Sequence, residues 1–106
     1  MKYWLLKTEP KDWSWKDQLN SKNQSIEWNG VRNYQASKNL KNMKKKDLCF
    51  FYHTGEEKKI VGIVKVMKEH FKDKSDKTNK FLSVKVRAEK ELKKPVTLKE
   101  IKNNDF

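Results

Sequence analysis

Cysteine is almost missing from this chain. Cys49 stands alone, so no disulfide can close within the chain, and with His53 and His70 as the two histidines, Cys/His zinc patterns are excluded. Glycine occurs three times and proline twice. Three glycines do not supply a phosphate loop or a Gly-rich dinucleotide fingerprint, and no Gly-x-Ser-x-Gly elbow is present. No apolar run approaches the ~18 residues of a membrane span. The first ten residues carry neither a long apolar stretch nor a small-residue cleavage site, so no secretory signal is read there. These absences lead to the expectation of a reduced, cytoplasmic protein (nuclear in a eukaryote) with no cofactor, no metal and no membrane partner. Arginine is also scarce, with Arg32 and Arg87 against 24 lysines.

What is present is positive charge and aromatic bulk. The 106 residues carry a net charge of +12. A polyanion is the partner such a balance favours, although lysine and asparagine share A/T-rich codons and base composition alone can raise both. The charge is uneven: residues 1–30 are net +1, residues 31–70 net +6 and residues 71–106 net +5, and all four tryptophans lie in the near-neutral first part. Leu, Ile, Val and Phe make up 24 residues, enough with the tryptophans and tyrosines for one small aromatic-rich core in a single domain, residues 1–106.

Tyr3-Trp4-Leu5-Leu6-Lys7-Thr8 reads as a strand that Glu9-Pro10 stops; with apolar groups on both faces it is expected to be an inner strand. Ser14 with Asp17 three residues on marks a helix start, running to about Leu19. Asn20 to Ser25 reads as loop and Trp28-Asn29-Gly30 as a turn. Ala36, Leu40 and Met43 place an amphipathic helix over Val31 to about Met43, with Lys38, Lys41 and Lys44 outward. Leu48 to His53 is a continuous apolar strand. Thr54-Gly55-Glu56-Glu57 starts a hairpin connection to a returning strand over Ile60–Met67, where Gly62 marks a bulge or a close approach. Glu69 to Lys80 reads as a charged loop, and Phe81–Ala88 as an alternating strand. Thr97-Leu98-Lys99-Glu100 has capping-box spacing for a last helix, stapled by Val96 and Ile101. The order β-α-α-β-β-β-α predicts an α+β fold, a small curved sheet or partly closed barrel with helices on it. The Phe81–Ala88 strand is expected to leave an open edge, covered by the last helix or used for dimerisation.

Catalytic arrangements are not found. Cys49 and His53 share a strand face but lie ~13 Å apart at ~3.3 Å per residue, too far for a thiolate pair, so Cys49 reads as a buried hydrophobe. Among the aromatics Trp4, Trp13, Trp15, Trp28, Tyr34 and Tyr52, most are expected to pack. Trp28 is the best candidate for a stacking plane: it precedes an Asn-Gly turn at a helix start and is followed by Arg32 and Asn33. Asn33 can donate to and accept from a base edge, and Arg32 offers a planar fork for phosphate or base, or an ion pair with Glu9 or Glu27. An aromatic plane beside convergent polar groups suits an extruded base. Lys38, Lys41, Lys44, Lys45 and Lys46 are the expected phosphate-tracking surface.

Tyr3-Trp4-Leu5-Leu6-Lys7-Thr8-Glu9-Pro10, Trp28-Asn29-Gly30-Val31-Arg32-Asn33-Tyr34-Gln35-Ala36, Asp47-Leu48-Cys49-Phe50-Phe51-Tyr52-His53-Thr54 and Ile60-Val61-Gly62-Ile63-Val64-Lys65-Val66, in this order, resemble the EVE domain, a PUA-like family related to YTH domains. The resemblance implies a PUA-like pseudo-barrel, a curved mixed sheet with flanking short helices, and a non-catalytic reader of modified bases in DNA or RNA, modified cytosine in DNA first. It implies a base pocket drawn from Trp28, Val31, Arg32 and Asn33, with Lys7 and Glu9 from the end of the first strand and Tyr52 and His53 from the second. It also implies further strands and a C-terminal helix past the position of Phe106, so the barrel is expected to be incomplete at the C-terminus of this chain. Two other functions compete with the reader: a protein- or RNA-scaffold docking module using the lysine surface, and a small enzyme on a related fold.

Overall fold

The computed structural model describes residues 3–21 and 25–97. In chain order it contains β1 (Tyr3–Thr8), α1 (Trp15–Asn20), β2 (Ile26–Glu27), α2 (Tyr34–Asn42), β3 (Leu48–His53), β4 (Lys59–Lys72) and β5 (Leu82–Thr97). The strands form one mixed sheet in the order β1-β3-β4-β5-β2. β1 runs parallel to β3, Tyr3 opposite Leu48 through Thr8 opposite His53, and the other neighbours are antiparallel.

Local chemistry explains the short elements. Ser14 Oγ accepts from the Asp17 amide and the Asp17 carboxylate accepts from the Ser14 amide, a reciprocal cap that starts α1. α2 starts later than its apolar spacing suggests. Asn33 is its cap, with Oδ1 accepting from the Ala36 amide at 3.0 Å, so Val31 and Arg32 lie in the turn before it. The hairpin between β3 and β4 turns at Gly55, whose φ of +78° is left-handed backbone.

Three strand expectations are corrected. β1 is an edge strand, not an inner one: Tyr3 is 59% exposed, with its ring on Phe50. β4 continues through Glu69, His70 and Phe71 to Lys72, where a loop was expected, because β5 pairs with it as far as Lys72 opposite Leu82. β5 runs to Thr97, so its edge is longer than the alternating core of the strand. That edge is not wholly open: Ile26 pairs with Val86, Glu27 with Lys85, and the Trp28 amide donates to Val84 O at 2.7 Å. The capping box at Thr97–Glu100 and its helix lie outside the described residues, except Thr97, which is strand.

Register shifts interrupt the β4–β5 ladder at four places and the β3–β4 ladder once. Each bulge bends its strand and adds twist, and the sheet curls around Phe51. Phe51 is fully buried, with Trp15 and Trp28 edge-on to its ring at centroid distances of 5.1 and 5.5 Å. Leu6, Leu40, Met43, Cys49, Val61, Val64, Val66, Val84 and Val86 pack into the same core. Gly62 proves to be both a bulge and a close approach, since a Cβ there would overlap the Trp15 ring. Trp15 is buried and cannot swing away. Gly62→Ala is therefore expected to cost about 1–3 kcal/mol through overpacking, measured as a lowered denaturant midpoint with unchanged m-value.

Candidate nucleic-acid interface

A cavity of about 980 Å³ opens between the two ends of the curled sheet, at the upper end of the range for small-molecule sites, roughly 300–1,000 Å³. One wall is β1: Leu5, Leu6, Lys7 and Thr8 all line it. Four consecutive residues can touch one space only along a strand's edge, since their side chains alternate between faces. The other walls are β2 with the 28–33 turn, the 9–13 turn, and the α2 face bearing Gln35, Ala36, Asn39, Leu40 and Met43.

Of the predicted pocket residues, Trp28, Val31, Arg32, Asn33, Lys7 and Glu9 meet on this cavity. Tyr52 and His53 do not line it. Tyr52 is buried, with Lys7 Nζ 6.0 Å from its ring centre. His53 Nε2 accepts from the Trp15 amide at 2.9 Å, so its proton sits on Nδ1 and is donated to Glu57 Oε1 at 3.0 Å. The ring ties α1 to the β3–β4 hairpin, and the hydrogen bond from His53 is the main cause holding the Glu57 carboxyl below the usual range.

Three other assignments change in detail. Trp28 is only 7% exposed: its ring is core against Phe51, although the residue lines the cavity. Asn33 uses its carbonyl oxygen as the α2 cap, which leaves its NH₂ group for a ligand. Arg32 pairs with neither Glu9 nor Glu27. Its Nη1 lies 3.0 Å from Asp73 Oδ2, its Nη2 donates to Ser75 Oγ at 3.2 Å, and its guanidinium sits 5.4 Å above the Phe81 ring. Arg32 thus shapes the rim more than it reaches into the cavity.

Asp73 is buried and also accepts from the Gly30 amide at 2.8 Å. Burial pushes its carboxyl up, but hydrogen bonds from Ser75, Gly30 and Arg32 outweigh that and bring it from 3.8 down to about 2. A depressed folded-state pKa gives stability that is complete above the ordinary carboxylate range and is lost as pH falls through about 2. Asp73→Asn should cost about 1–3 kcal/mol at neutral pH. In urea titrations the gap from wild type should narrow as pH falls below 4 and close near 2.

Sequence reasoning passed over Trp13, Asp12 and Glu27 as cavity residues. Trp13 is half-buried, and its indole N–H donates to Gln18 Oε1 at 2.8 Å. The 9–13 turn, in which the Asp12 and Trp13 amides both donate to Glu9 O, carries it to the cavity. Nothing local distinguishes it from the other aromatics.

The expected lysine surface is exposed, but α2 turns Lys38 and Lys41 about 130–170° away from its cavity-facing positions. The turn bearing Lys44, Lys45 and Lys46 is pinned by Asp47, whose carboxylate accepts from the Lys44 amide and from Trp4 Nε1. Cys49 is fully buried, and burial pushes its thiol up to about 12, with the Asp47 charge adding to the shift, which disqualifies it as a nucleophile at neutral pH. Among the described residues no group of three His, Cys, Asp or Glu side chains could hold a metal ion, and no helix is long and apolar enough to cross a membrane.

Comparison with known proteins agrees with this architecture. Protein Atu2648 from Agrobacterium tumefaciens superimposes with a TM-score of 0.90 at 42% identity, covering 99% of this chain and 73% of that one. Human THYN1, solved in complex with DNA containing 5-methylcytosine, superimposes with a TM-score of 0.84 at 31% identity, covering 97% of this chain and 74% of that one. Thymocyte nuclear protein 1 of Gallus gallus is 43% identical over 81 residues, which is 67% of this chain and 34% of the relative. The chain therefore spans about a third of the length of that relative. The mixed five-stranded sheet, not closed, with its two short helices matches the PUA-like fold, and residues 2–106 match the EVE domain: the chain belongs to the EVE domain family.

Proposed function

We propose that this domain binds nucleic acid without catalysis and holds a modified base, of the modified-cytosine class in DNA, in the cavity between β1 and the 28–33 turn. The observation that carries this reading is the cavity wall itself. Trp13 and Trp28 supply aromatic surface. Asn33 NH₂ can donate, and Glu9, Asp12 and Glu27 can accept from an exocyclic amine such as cytosine N4. The complex of human THYN1 with 5-methylcytosine DNA, at 31% identity, supports the choice of ligand. In this arrangement Trp13 is the better stacking plane, since Trp28 is nearly enclosed.

The test is fluorescence anisotropy with three targets of one sequence: 5-methylcytosine DNA, unmodified DNA and RNA. The methylated DNA is expected to bind most tightly. Ala36→Trp, which fills the cavity from the α2 wall, should erase that preference while leaving salt-dependent binding in place. Equal affinity of the wild-type domain for methylated and unmodified DNA would sink the reading.

A further inference from the structure

The loop between β4 and β5, residues 73–81, has a pattern that the fold does not require. It reads Asp73-Lys74-Ser75, Asp76-Lys77-Thr78, Asn79-Lys80, a side-chain acceptor followed by lysine and hydroxyl, repeated, with lysine again directly after Asn79. Each aspartate folds the chain back on itself. Asp73 accepts from the Ser75 amide and hydroxyl at 2.8 and 2.6 Å. Asp76 accepts from the Thr78 amide and hydroxyl at 2.9 and 2.6 Å, and from the Lys80 and Phe81 amides at 2.9 and 2.8 Å. The Asp76 and Asn79 amides donate to Asp73 O and Asp76 O, and Asn79 takes the left-handed φ of +59° that ends the series. Both aspartates are buried, while Lys74, Lys77 and Lys80 are exposed. The loop thus turns its negative charges inward and its positive charges out.

The same loop is fastened to the cavity rim. Asp73 holds the Gly30 amide and Arg32, both from residues that line the cavity, and Ser75 Oγ accepts from Arg32. At its other end Phe81 stacks on Tyr34, which is 69% exposed at the start of α2, with the ring centroids 5.1 Å apart. Loop, turn and helix start are therefore one rigid unit.

We propose that residues 73–81 are a preordered strap that contacts the phosphates flanking the base held in the cavity, through Lys74, Lys77 and Lys80. The proposal rests on the reader function above. Lysine suits this role: a compact charge neutralises phosphate without imposing base geometry. Ordering the loop before binding removes part of the entropic cost of fixing three lysines on a ligand. The strap has the position that Lys38 and Lys41 lack, since it sits at the rim and not on the far side of α2.

The experiment measures affinity for methylated and unmodified DNA between about 50 and 200 mM salt. Lys74→Gln/Lys77→Gln/Lys80→Gln is expected to lower the log–log salt slope by about 2–3 and to weaken both DNAs alike, leaving their ratio as in wild type. An unchanged slope overturns the strap, whatever the ratio. Equal binding of both DNAs by the wild type overturns the cavity reading instead, so the two failures are distinguishable. A second variant tests preordering by its sign. Asp76→Ala adds one positive charge, so charge alone predicts tighter binding, whereas loss of the ordered strap predicts weaker binding; tighter binding overturns the preordering. Should that variant fail to fold, Thr78→Val, which removes one hydroxyl donor and keeps the charge, is expected to bind more weakly, and wild-type affinity would overturn it.

Discussion

Trp28→Ala is expected to destabilise the domain by about 3–5 kcal/mol, the range for deleting a buried tryptophan side chain. The residue is 7% exposed and stands edge-on to Phe51, which also carries Trp15. Its amide is the bond that continues β2 along β5, and Ser83 Oγ donates to its carbonyl. Removing the ring opens a void beside Phe51, where the chain leaves β2 along β5, and neighbours on two strands would have to move to fill it. In a domain of this size such a loss lowers the melting temperature by about 12 °C or more. The sequence alone suggests a different result: a turn tryptophan before a helix reads as a ligand plane whose removal weakens binding about 10- to 100-fold and spares the fold. Thermal and chemical denaturation decide between them. A loss of stability below about 1 kcal/mol would mean that the ring is not packed as described and would return it to the ligand.

How much of the molecule is legible in the sequence depends on how local its causes are. β3 matches its predicted bounds, Leu48 to His53, because an unbroken apolar run between a lysine turn and a glycine turn has one sensible reading. The α1 cap is equally local, with Ser14 and Asp17 three residues apart. β2 is not legible: Ile26-Glu27 has no period, and it is strand only because Val86 and Lys85, some 60 positions later, lie beside it. The extension of β4 through Glu69 and His70 is likewise a product of its partner strand, which overrides polar composition. β1 misleads because apolar residues on both faces normally mean an inner strand. Here one side of it faces the cavity, and Trp4 is held by Asp47, 43 residues away.

The candidate site divides in the same way. The 28–33 turn could be singled out as it stands, the end of β1 only through the resemblance to the family, and the fold brings both to one cavity. The partner of Arg32 could not. Glu9 and Glu27 are nearer in sequence, but Asp73, 41 positions on, holds it, within a loop whose function in the fold shows only when its hydrogen bonds are traced. Tyr52 and His53 come into the expected pocket only through the resemblance to the family, and on β3 they lie opposite Lys7 and Thr8. Pairing does bring them beside β1, but neither lines the cavity: His53 bonds α1 and the hairpin, and Tyr52 is buried beside Lys7.

Trp13 is where the base reading is most exposed to disproof. Its ring is half-buried on the cavity wall, its indole N–H is fixed by Gln18 Oε1, and its carbonyl accepts from Thr8 Oγ1 at 2.9 Å. A residue held at its indole N–H and at its backbone carbonyl presents a fixed plane, and base–aromatic stacking is worth about 1–3 kcal/mol by substitution. Trp13→Leu is therefore expected to weaken binding of 5-methylcytosine DNA by roughly 5- to 150-fold. Part of any effect could come from packing, because losing the indole leaves the buried Gln18 carbonyl without its donor, at a cost of about 1–3 kcal/mol in stability. Trp13→Phe separates the two contributions. It loses the same hydrogen bond and should melt about as low as Trp13→Leu, but it keeps a flat aromatic face and should retain most of the affinity. If the leucine and phenylalanine variants bind the methylated DNA equally well, Trp13 does not stack on the base, and the cavity needs a different plane or a different ligand.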